Sequence, residues 1–428
     1  MKIAFFTLGC KVNQYETDLM MKKFVEAGYI LCDFNEKVDV YVINSCSVTN
    51  LSTRKTRQYL SRAKKQGGIT VLAGCYAQEI ENEEALINAD IIIGNEEKND
   101  IVEIVTEYLN NSNKKVIYEV GKINEVKKYK QSTSLFKGRE VRESIKIEDG
   151  CDNFCTYCII PHVRGRVRSR NIEDIILEIK SLVKNGVGEI ILVGIEIASY
   201  GKDLDNSITM IDVIERISNI ENLKRIRLGS IEPRILTDEN IDRIARIEKL
   251  CPHFHISVQN LDNNILKRMN RHYDYEYLLS VVNKLRMNFK NPAITCDIIV
   301  GFPGETDEEF ENTINRVKEI EFYEIHTFKY SKRKWTLAAK MDGQVDGNIA
   351  QERSEKLIKL ANKQKLEYMR KELGNTSKVL IESQKDGYVY GYTPNYIMVK
   401  SKGNGDLIGK EIEIKMVSLD GDLILGEI

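Results

Sequence analysis

The sequence predicts an α/β protein built as an open parallel α/β domain over residues 1–115, a linker over 116–140, a TIM-like (β/α)6 partial barrel over 141–372 and a small OB-like β-barrel over 373–428. Three observations predict it. Short apolar runs alternate with helical periodicity up to about residue 372, the pattern of βα units. Between about Asn110 and Arg142 that periodicity fades and lysines accumulate, among them Lys127, Lys128 and Lys130. From about Gly374 short β-prone runs are separated by DG, KGNGD and DGD turns.

Composition sets the outer limits. With 428 residues, 42% hydrophobic and 30% charged, the chain has room for two or three cores and the balance of a soluble protein. No apolar run approaches a bilayer span, and KIAFFTLGC lacks the features of a signal peptide, so no membrane partner and a cytoplasmic location are expected. Nine cysteines, an odd count without a disulfide framework, are expected to be reduced. The net charge of −1 does not announce a polyanionic partner. Basic residues do concentrate at Arg54 to Lys65, Lys122 to Arg142, the arginines after residue 163, and Lys332 to Lys334. Each run alone fits a solvated helix face as well as an anion-binding surface.

Residues 2–7 read as a strand ending at Gly9–Cys10, followed by a helix from about Gln14 to Gly28 with Leu19, Met20, Phe24 and Val25 at helical spacing. Asp39 to Ile43 leads to Asn44–Ser45–Cys46 and a helix from about Asn50, and Ile69 to Ala73 leads to Gly74–Cys75. Three βα units thus each deliver one cysteine just past a strand. In an open parallel sheet such strand ends line one edge, where ligand crevices form. Convergence of Cys10, Cys46 and Cys75 stands against the alternative that each is a small buried residue, and the repeated register favours convergence. Cys32, Cys251 and Cys296 read as structural, Cys32 because it lies away from any strand end.

The barrel strands are Ser144 to Ile147, Glu189 to Gly194, Lys224 to Leu228, His253 to Val258, Ile294 to Val300 and Phe322 to Phe328, with helices such as Asn171 to Asn185 between them. After the first strand comes EDGCDNFCTYCIIPHVRGRVRSR, in which Cys151, Cys155 and Cys158 are spaced CxxxCxxC. Three thiolates at that spacing suit three corners of a [4Fe–4S] cluster, leaving one iron open. A zinc site with His162 as fourth ligand is the alternative.

With Tyr157 between the second and third cysteines, CDNFCTYC resembles the signature of radical S-adenosylmethionine (SAM) enzymes. The resemblance implies that Cys151, Cys155 and Cys158 hold a cluster whose open iron binds SAM and whose electron cleaves it. Joined to GCKVNQYE, NSCSVT and GCYAQ, the motif resembles the methylthiotransferase family of those enzymes (MiaB/RimO/MtaB-like) over essentially the whole chain. That implies a second [4Fe–4S] cluster on Cys10, Cys46 and Cys75, with an open iron that holds the sulfur to be inserted. Two clusters, SAM, a sulfur donor and an external electron donor are therefore expected.

Strand-end loops supply candidates for holding SAM: Tyr157 in the cluster loop, Glu196 and Tyr200 in GIEIASYG, Ser230 in GSIEP, Gln259, and Gly301 and Glu305 in GFPGET. The chain departs from the family where Glu196 stands for His or Asn, Gln259–Asn260–Leu261 for QSG, and Trp335–Thr336–Leu337–Ala338–Ala339 for GTPAA; the pair His162–Val163 also differs. Leu261 and Trp335 are expected to add bulk at the barrel mouth.

The last 55 or so residues resemble a TRAM domain, an RNA-binding module. Tyr388 and Tyr390 are candidates for stacking on bases, although six lysines face eight acidic residues there. QKDGYVYGYTPNY and YSKRK resemble the MtaB branch. That branch implies tRNA as partner and methylthio insertion at C2 of N6-threonylcarbamoyladenosine. A peptide or protein side chain is the alternative substrate, and a tRNA-binding iron–sulfur protein without sulfur insertion the alternative class.

Overall fold

The structure, a computed structural model, describes residues 1–80, 88–111, 115–130, 141–205 and 207–428. Its first sheet is parallel, with β1 (Lys2–Thr7), β2 (Ile30–Cys32), β3 (Val40–Ser45), β4 (Ile69–Gly74), β5 (Ile91–Ile93) and β6 (Ile117–Glu119) in the order β2-β1-β3-β4-β5-β6. Around it pack α1 (Lys11–Glu26), α2 (Asn50–Gln66), α3 (Cys75–Glu79) and α4 (Ile101–Asn110). The sheet carries an apolar layer on each side, one with Leu60, Ala63 and Tyr76, the other with Met20, Phe24 and Val105, which is why β3 and β5 read as unbroken apolar runs. Strands β1, β3 and β4 are neighbours, and the pairings Thr7↔Asn44 and Ser45↔Gly74 keep their ends level.

Several expectations are corrected. Helix α1 starts at Lys11, not near Gln14, because Cys10 itself takes the extended N-cap conformation (φ −91°, ψ 173°). Cys32 closes the edge strand β2 instead of lying away from strand ends; paired level with Ala4, it sits below the cysteine-bearing edge. Within the expected linker, Ile117–Glu119 finds an open edge on β5 and adds a sixth strand, and a turn at Ile123–Glu125 buries Ile123. Lys122 and Lys130 pair with Glu125 and Asp100, while Lys137 and the rest of 131–140 lie outside the described residues.

The central wall comprises β7 (Arg142–Lys146), β10 (Glu189–Val193), β11 (Arg225–Leu228), β12 (Ser230–Ile231), β13 (His253–Gln259), β14 (Ala293–Val300) and β15 (Glu324–Lys329), all parallel and in chain order. Strands β11 and β12 are one strand bent at Gly229, whose N–H bonds Leu192 O (2.8 Å), so the wall has the expected six-strand plan. A ribbon of β8 (Glu148–Asp149) and β9 (Arg168–Ser169) flanks the cluster loop. The helices are α5 (Ile160–Arg164), α6 (Ile172–Lys184), α7 (Met210–Ser218), α8 (Asp238–Ile244), α9 (Asn263–Arg268), α10 (Tyr275–Asn288), α11 (Asp307–Ile320) and α12 (Gly347–Lys371). Strand alternation divides the faces: Phe254, Ile256 and Val258 join the core under the helices, and His253, His255, Ser257 and Gln259 face inward. Leu261, expected at the mouth, is buried in that core, because Asn260 turns the chain back by bonding Ile299 O (3.2 Å).

Strands β16 (Thr376–Lys385), β17 (Tyr388–Tyr392), β18 (Met398–Lys402), β19 (Glu411–Asp420) and β20 (Leu423–Glu427) close a small barrel in the order β16-β17-β18-β20-β19. It docks on the starts of the wall strands, at the end opposite the cysteines. Arg225 bonds Glu411 and the carbonyls of Tyr392 and Lys378; Arg227 bonds Glu189 through both nitrogens and the carbonyl of Pro394. Tyr396 precedes β18 in the left-handed region (φ +67°) and packs against His253 and the guanidinium of Arg227.

Candidate active site: two cysteine triads and a cavity

The motif around each N-terminal cysteine builds the first triad. Asn13 donates to Leu8 O (2.7 Å) and Ser45 O (2.9 Å), Asn44 donates to Asn13 O (2.9 Å), and Ser45 Oγ donates to Ala73 O while accepting from the Tyr76 N–H (3.1 Å). These bonds tie the three strand ends together. A Cβ on Gly9 (φ +99°) would stand 2.9 Å from Cys46 Sγ, so only glycine lets the Cys10 loop close on Cys46. Cys46 and Cys75 are buried and Cys10 is exposed. Burial, and then the nearby sulfurs of Cys75 and Cys10, push the Cys46 thiol up to about 12.

Cys151, Cys155 and Cys158 form the second triad on the loop after β7. The Cys158 thiol is pushed up to about 12 by burial and then by Cys155, and Cys151 is raised by burial as well. The positive charge of a bound metal would favour their ionised, ligating form. Among the described residues, His255, Asp297 and His326 also bring three potential ligand atoms together, away from the cysteines. Three cysteine sulfurs on each side are the donor set that a [4Fe–4S] cluster with one open iron would use. His162, the alternative zinc ligand, turns its ring toward Phe154 and Trp335.

A cavity of about 260 Å³ opens over the second triad. The three cysteines, Tyr157, Glu196 and Gln259 line it, as do Asn153, Ser257, Arg271, Asp297 and Lys329. Its rim includes Val48 and Thr49, which follow Cys46 in the N-terminal domain. The other SAM candidates lie elsewhere. Ser230 is exposed on β12 and does not line the cavity. Gly301 (φ +71°) packs where a Cβ would meet Ala350 at 2.8 Å, and its N–H donates to Glu305, which Arg353 holds at 2.7 Å. Tyr200 spends its hydroxyl on Arg170 O.

Glu196 caps its own turn by accepting from the Ala198 N–H (3.2 Å), and burial with the nearby Glu232 pushes its carboxyl up to about 7. Arg271 reaches Cys155 Sγ (3.5 Å) and Ser257 O (2.7 Å). At the inward end, Asp297 meets His255 Nε2 and His326 Nδ1, each at 3.3 Å. Burial opposes its ionisation, but hydrogen bonds from both imidazoles bring it down to about 2. Arg271, Ser257 and Asp297 are not among the residues the sequence motifs single out. The inward alternation of His255, Ser257, Thr295 and Asp297 against apolar neighbours was the available signal.

Buried ion pairs join the two triads. Glu16 on α1 meets Lys98 (2.6 Å), Lys146 (2.7 Å) and Arg164, while Asp149 meets Lys146 (2.6 Å), Arg164 (3.3 Å) and Arg168 (3.6 Å). Arg164 also donates to Asn13 Oδ1 (2.5 Å) and to Cys75 Sγ (3.2 Å). Of the expected basic arginine run, Arg164, Arg168 and Arg170 are buried, and only Arg166 remains exposed.

Comparison with known proteins extends this picture. Residues 145–317 match the Radical SAM superfamily and residues 2–94 the uncharacterized protein family UPF0004. Over 97% of its length the chain is 40% identical to the threonylcarbamoyladenosine tRNA methylthiotransferase MtaB of Bacillus subtilis (strain 168), covering 93% of that protein. It is 35% identical to a tRNA-2-methylthio-N(6)-dimethylallyladenosine synthase of Clostridium botulinum (strain Langeland), covering 98% of this chain and 95% of that one. Among solved structures, the radical S-adenosylmethionine methyltransferase TsrM from Kitasatospora setae aligns with a TM-score of 0.57 at 13% identity, over 79% of this chain and 73% of that chain, a likeness of fold.

Proposed function

The chain belongs to the radical SAM methylthiotransferase family, with the MtaB and MiaB type as its relatives, and from that premise we propose that it inserts a methylthio group at C2 of N6-threonylcarbamoyladenosine in tRNA. The observation that carries the reading is the meeting of the two cysteine-bearing domains at one opening: the cavity over Cys151, Cys155 and Cys158 has at its rim Val48 and Thr49, from the loop that follows Cys46. Cys151, Cys155 and Cys158 would hold the [4Fe–4S] cluster that binds SAM, and Cys10, Cys46 and Cys75 a second. When bound, these groups supply reductive cleavage of SAM and a methylthio group for transfer.

The protein's own part is to bind, orient and exclude water. Asn153, Glu196 and Arg271 offer the polar contacts that a sulfonium amino acid and its nucleoside require, with Tyr157 and Ile299 as apolar walls. The adenine to be modified would enter between the two triads. Two base modifications appear among the relatives, threonylcarbamoyl and dimethylallyl. A dimethylallyl group is pure hydrocarbon and gains nothing from charged walls, whereas threonylcarbamoyl carries a carboxylate, a hydroxyl and a urea. Ser257, Asp297, Lys329 and Ser331 on the cavity wall, with His255 and His326 behind Asp297, favour the polar substituent.

The test is mass spectrometry of tRNA nucleosides from cells lacking the gene and from the complemented strain. 2-Methylthio-N6-threonylcarbamoyladenosine should vanish in the first and return in the second. An unchanged level of that nucleoside sinks the substrate assignment. Complementation by variants lacking either triad should fail.

A further inference from the structure

Helix α2 carries Arg54, Lys55, Arg57, Arg62, Lys64 and Lys65 between Asn50 and Gln66 and no acidic residue. All six are exposed. Thr56, Leu60 and Ala63 seat the helix on its sheet, Tyr59 packs on Phe6 and Phe34, and the face that carries the basic residues is exposed. Lys64 has an ion pair with Asp90 (2.5 Å). Arg57 donates to Tyr76 OH (2.7 Å) and Arg62 to Asn35 Oδ1 (2.6 Å), both neutral acceptors. Among the described residues no carboxylate stands at ion-pair distance from Arg54, Lys55, Arg57, Arg62 or Lys65, although the half-buried Glu79 lies in the field of Arg333, Lys334 and Arg57. A surface helix of ordinary solvating charges alternates signs, since like charges three and four residues apart repel. Here Arg54, Arg57, Gln58, Ser61, Arg62 and Lys65 recur at that spacing along one face.

Position gives the stripe its meaning. The loop entering α2 is Val48–Thr49, on the rim of the cavity, and the Asn50 N–H donates to Ser331 Oγ (3.2 Å), another cavity residue. Arg333 of the same loop reaches Thr53 Oγ1 (3.4 Å), and Lys332 beside it is exposed. The stripe therefore begins at the opening and runs away from it; Arg54 to Lys65 spans about 16 Å at the helical rise, enough for several phosphates of a single strand. The C-terminal barrel, by contrast, docks at the opposite end of the wall.

We infer that the exposed face of α2, with the Ser331–Lys334 loop, is the track that holds the ribose–phosphate backbone flanking the nucleotide inserted in the cavity. The inference rests on the tRNA reading above and adds where the backbone lies. Arginine forks and lysine ammonium groups meet phosphate oxygens, and the neutral Gln58 and Ser61 between them bond ribose or phosphate. Binding releases counterions, so each lost contact flattens the salt dependence by a slope of about 0.7 for single-stranded RNA.

The experiment is fluorescence anisotropy of the full-length protein with a labelled tRNA anticodon stem-loop, over a salt series. The variant reverses four charges, Arg54→Glu, Lys55→Glu, Arg62→Glu and Lys65→Glu, and a second replaces the same residues with Gln to limit repulsion. A control reverses Lys359 and Lys363 on α12. The Glu variant should bind at least about tenfold more weakly with a slope flatter by up to about 3, the Gln variant should lie between it and the wild type, and the control should match the wild type. If the wild type binds with a steep salt dependence and both α2 variants match it, the track is overturned and the tRNA reading stands. If the wild type itself shows no salt-dependent binding, both fall. Circular dichroism of each variant checks that the helix remains folded.

Discussion

Replacing Glu16 by Gln should separate the two cysteine-bearing domains. Four buried cations at the seam, Lys98, Lys146, Arg164 and Arg168, face three carboxylates, Glu16, Asp149 and Glu96. Glu16 alone serves three of the four. The substitution preserves shape but leaves four buried cations facing two carboxylates. Removing one partner from a buried pair costs about 3–5 kcal/mol, and the orphaned cations here sit together. Arg164→Met is the contrast: it leaves three cations against three carboxylates, and the loss should be nearer about 1.5–3 kcal/mol, the worth of a charged hydrogen bond. The assay is urea unfolding of the metal-free protein followed by tryptophan fluorescence. Trp335, the chain's single tryptophan, packs beside Cys75, Ile159 and Val163 at this seam. Its emission should shift at lower urea in Glu16→Gln, ahead of the loss of helix signal. A variant within about 0.5 kcal/mol of wild type, a typical surface effect, would falsify the charge count. The same carboxyl gives the pH sense. Burial opposes its ionisation, but Arg164, Lys146 and Lys98 hold it well below the usual range. Its contribution is therefore present above the unfolded carboxylate value and is lost as pH falls through the folded one.

Replacing Cys10, Cys46 and Cys75 together by Ala should take iron from about eight to about four per chain, while anaerobic SAM cleavage persists; retention of all the iron would remove these residues from cluster binding. His326 is raised by its hydrogen bond to Asp297, with burial opposing. In Asp297→Asn it should return toward about 6.5, read by proton NMR of the metal-free protein, where five histidines keep the spectrum tractable. A raised histidine stabilises below its unfolded value and loses that contribution as pH rises through the folded one. Asp297→Asn should accordingly lower the melting temperature more at pH 6 than at pH 8.5, and an equal loss at both would remove the ion pair from the account. At Trp335, which holds φ +67°, Trp335→Gly should be more stable than Trp335→Ala by about 1 kcal/mol, reversing the usual order, as thermal melts would show.

Much of this architecture was legible because it repeats. Three strand–cysteine–helix units in one register led to a common edge, and the sheet order makes β1, β3 and β4 neighbours as that requires. The inward face of the wall was also written plainly: in HFHISVQ every second residue is polar. What escaped were residues whose role depends on another domain. Glu16 on an amphipathic helix looks like a solvent residue until Lys146 and Arg164 arrive from the barrel. The arginines after the cluster loop looked like a basic surface for the same reason. Ser230 and Gly301 stand at strand ends, a position that fixes height on the barrel but not direction. Leu261 and Trp335 were both read as bulk at the mouth. Leu261 is buried in the core, and Trp335 stands where the backbone is left-handed, so a family glycine there answers a conformational demand more directly than a need for space.

The seam also explains why an arginine follows the cluster loop at residue 164. One planar group there donates from Nε to Cys75 Sγ, from Nη2 to Asn13 and Glu16, and from Nη1 to Glu16 and Asp149. It therefore touches a ligand candidate of the first triad, the amide that ties that triad's strand ends, and the carboxylates that join the domains. Helix α5, which carries it, begins two residues after Cys158. The second triad is thus tied to the first through a short run of chain and this guanidinium, beside the Lys146–Glu16 and Arg168–Glu96 pairs. A lysine here would keep the charge but present one nitrogen where three are in use. It could satisfy Glu16 or approach Cys75, not both, so Arg164→Lys should preserve much of the fold while loosening the placement of one triad against the other. An apolar seam of equal area would join the domains at least as firmly, but it would offer nothing to Cys75 and nothing to fix direction; the guanidinium supplies both.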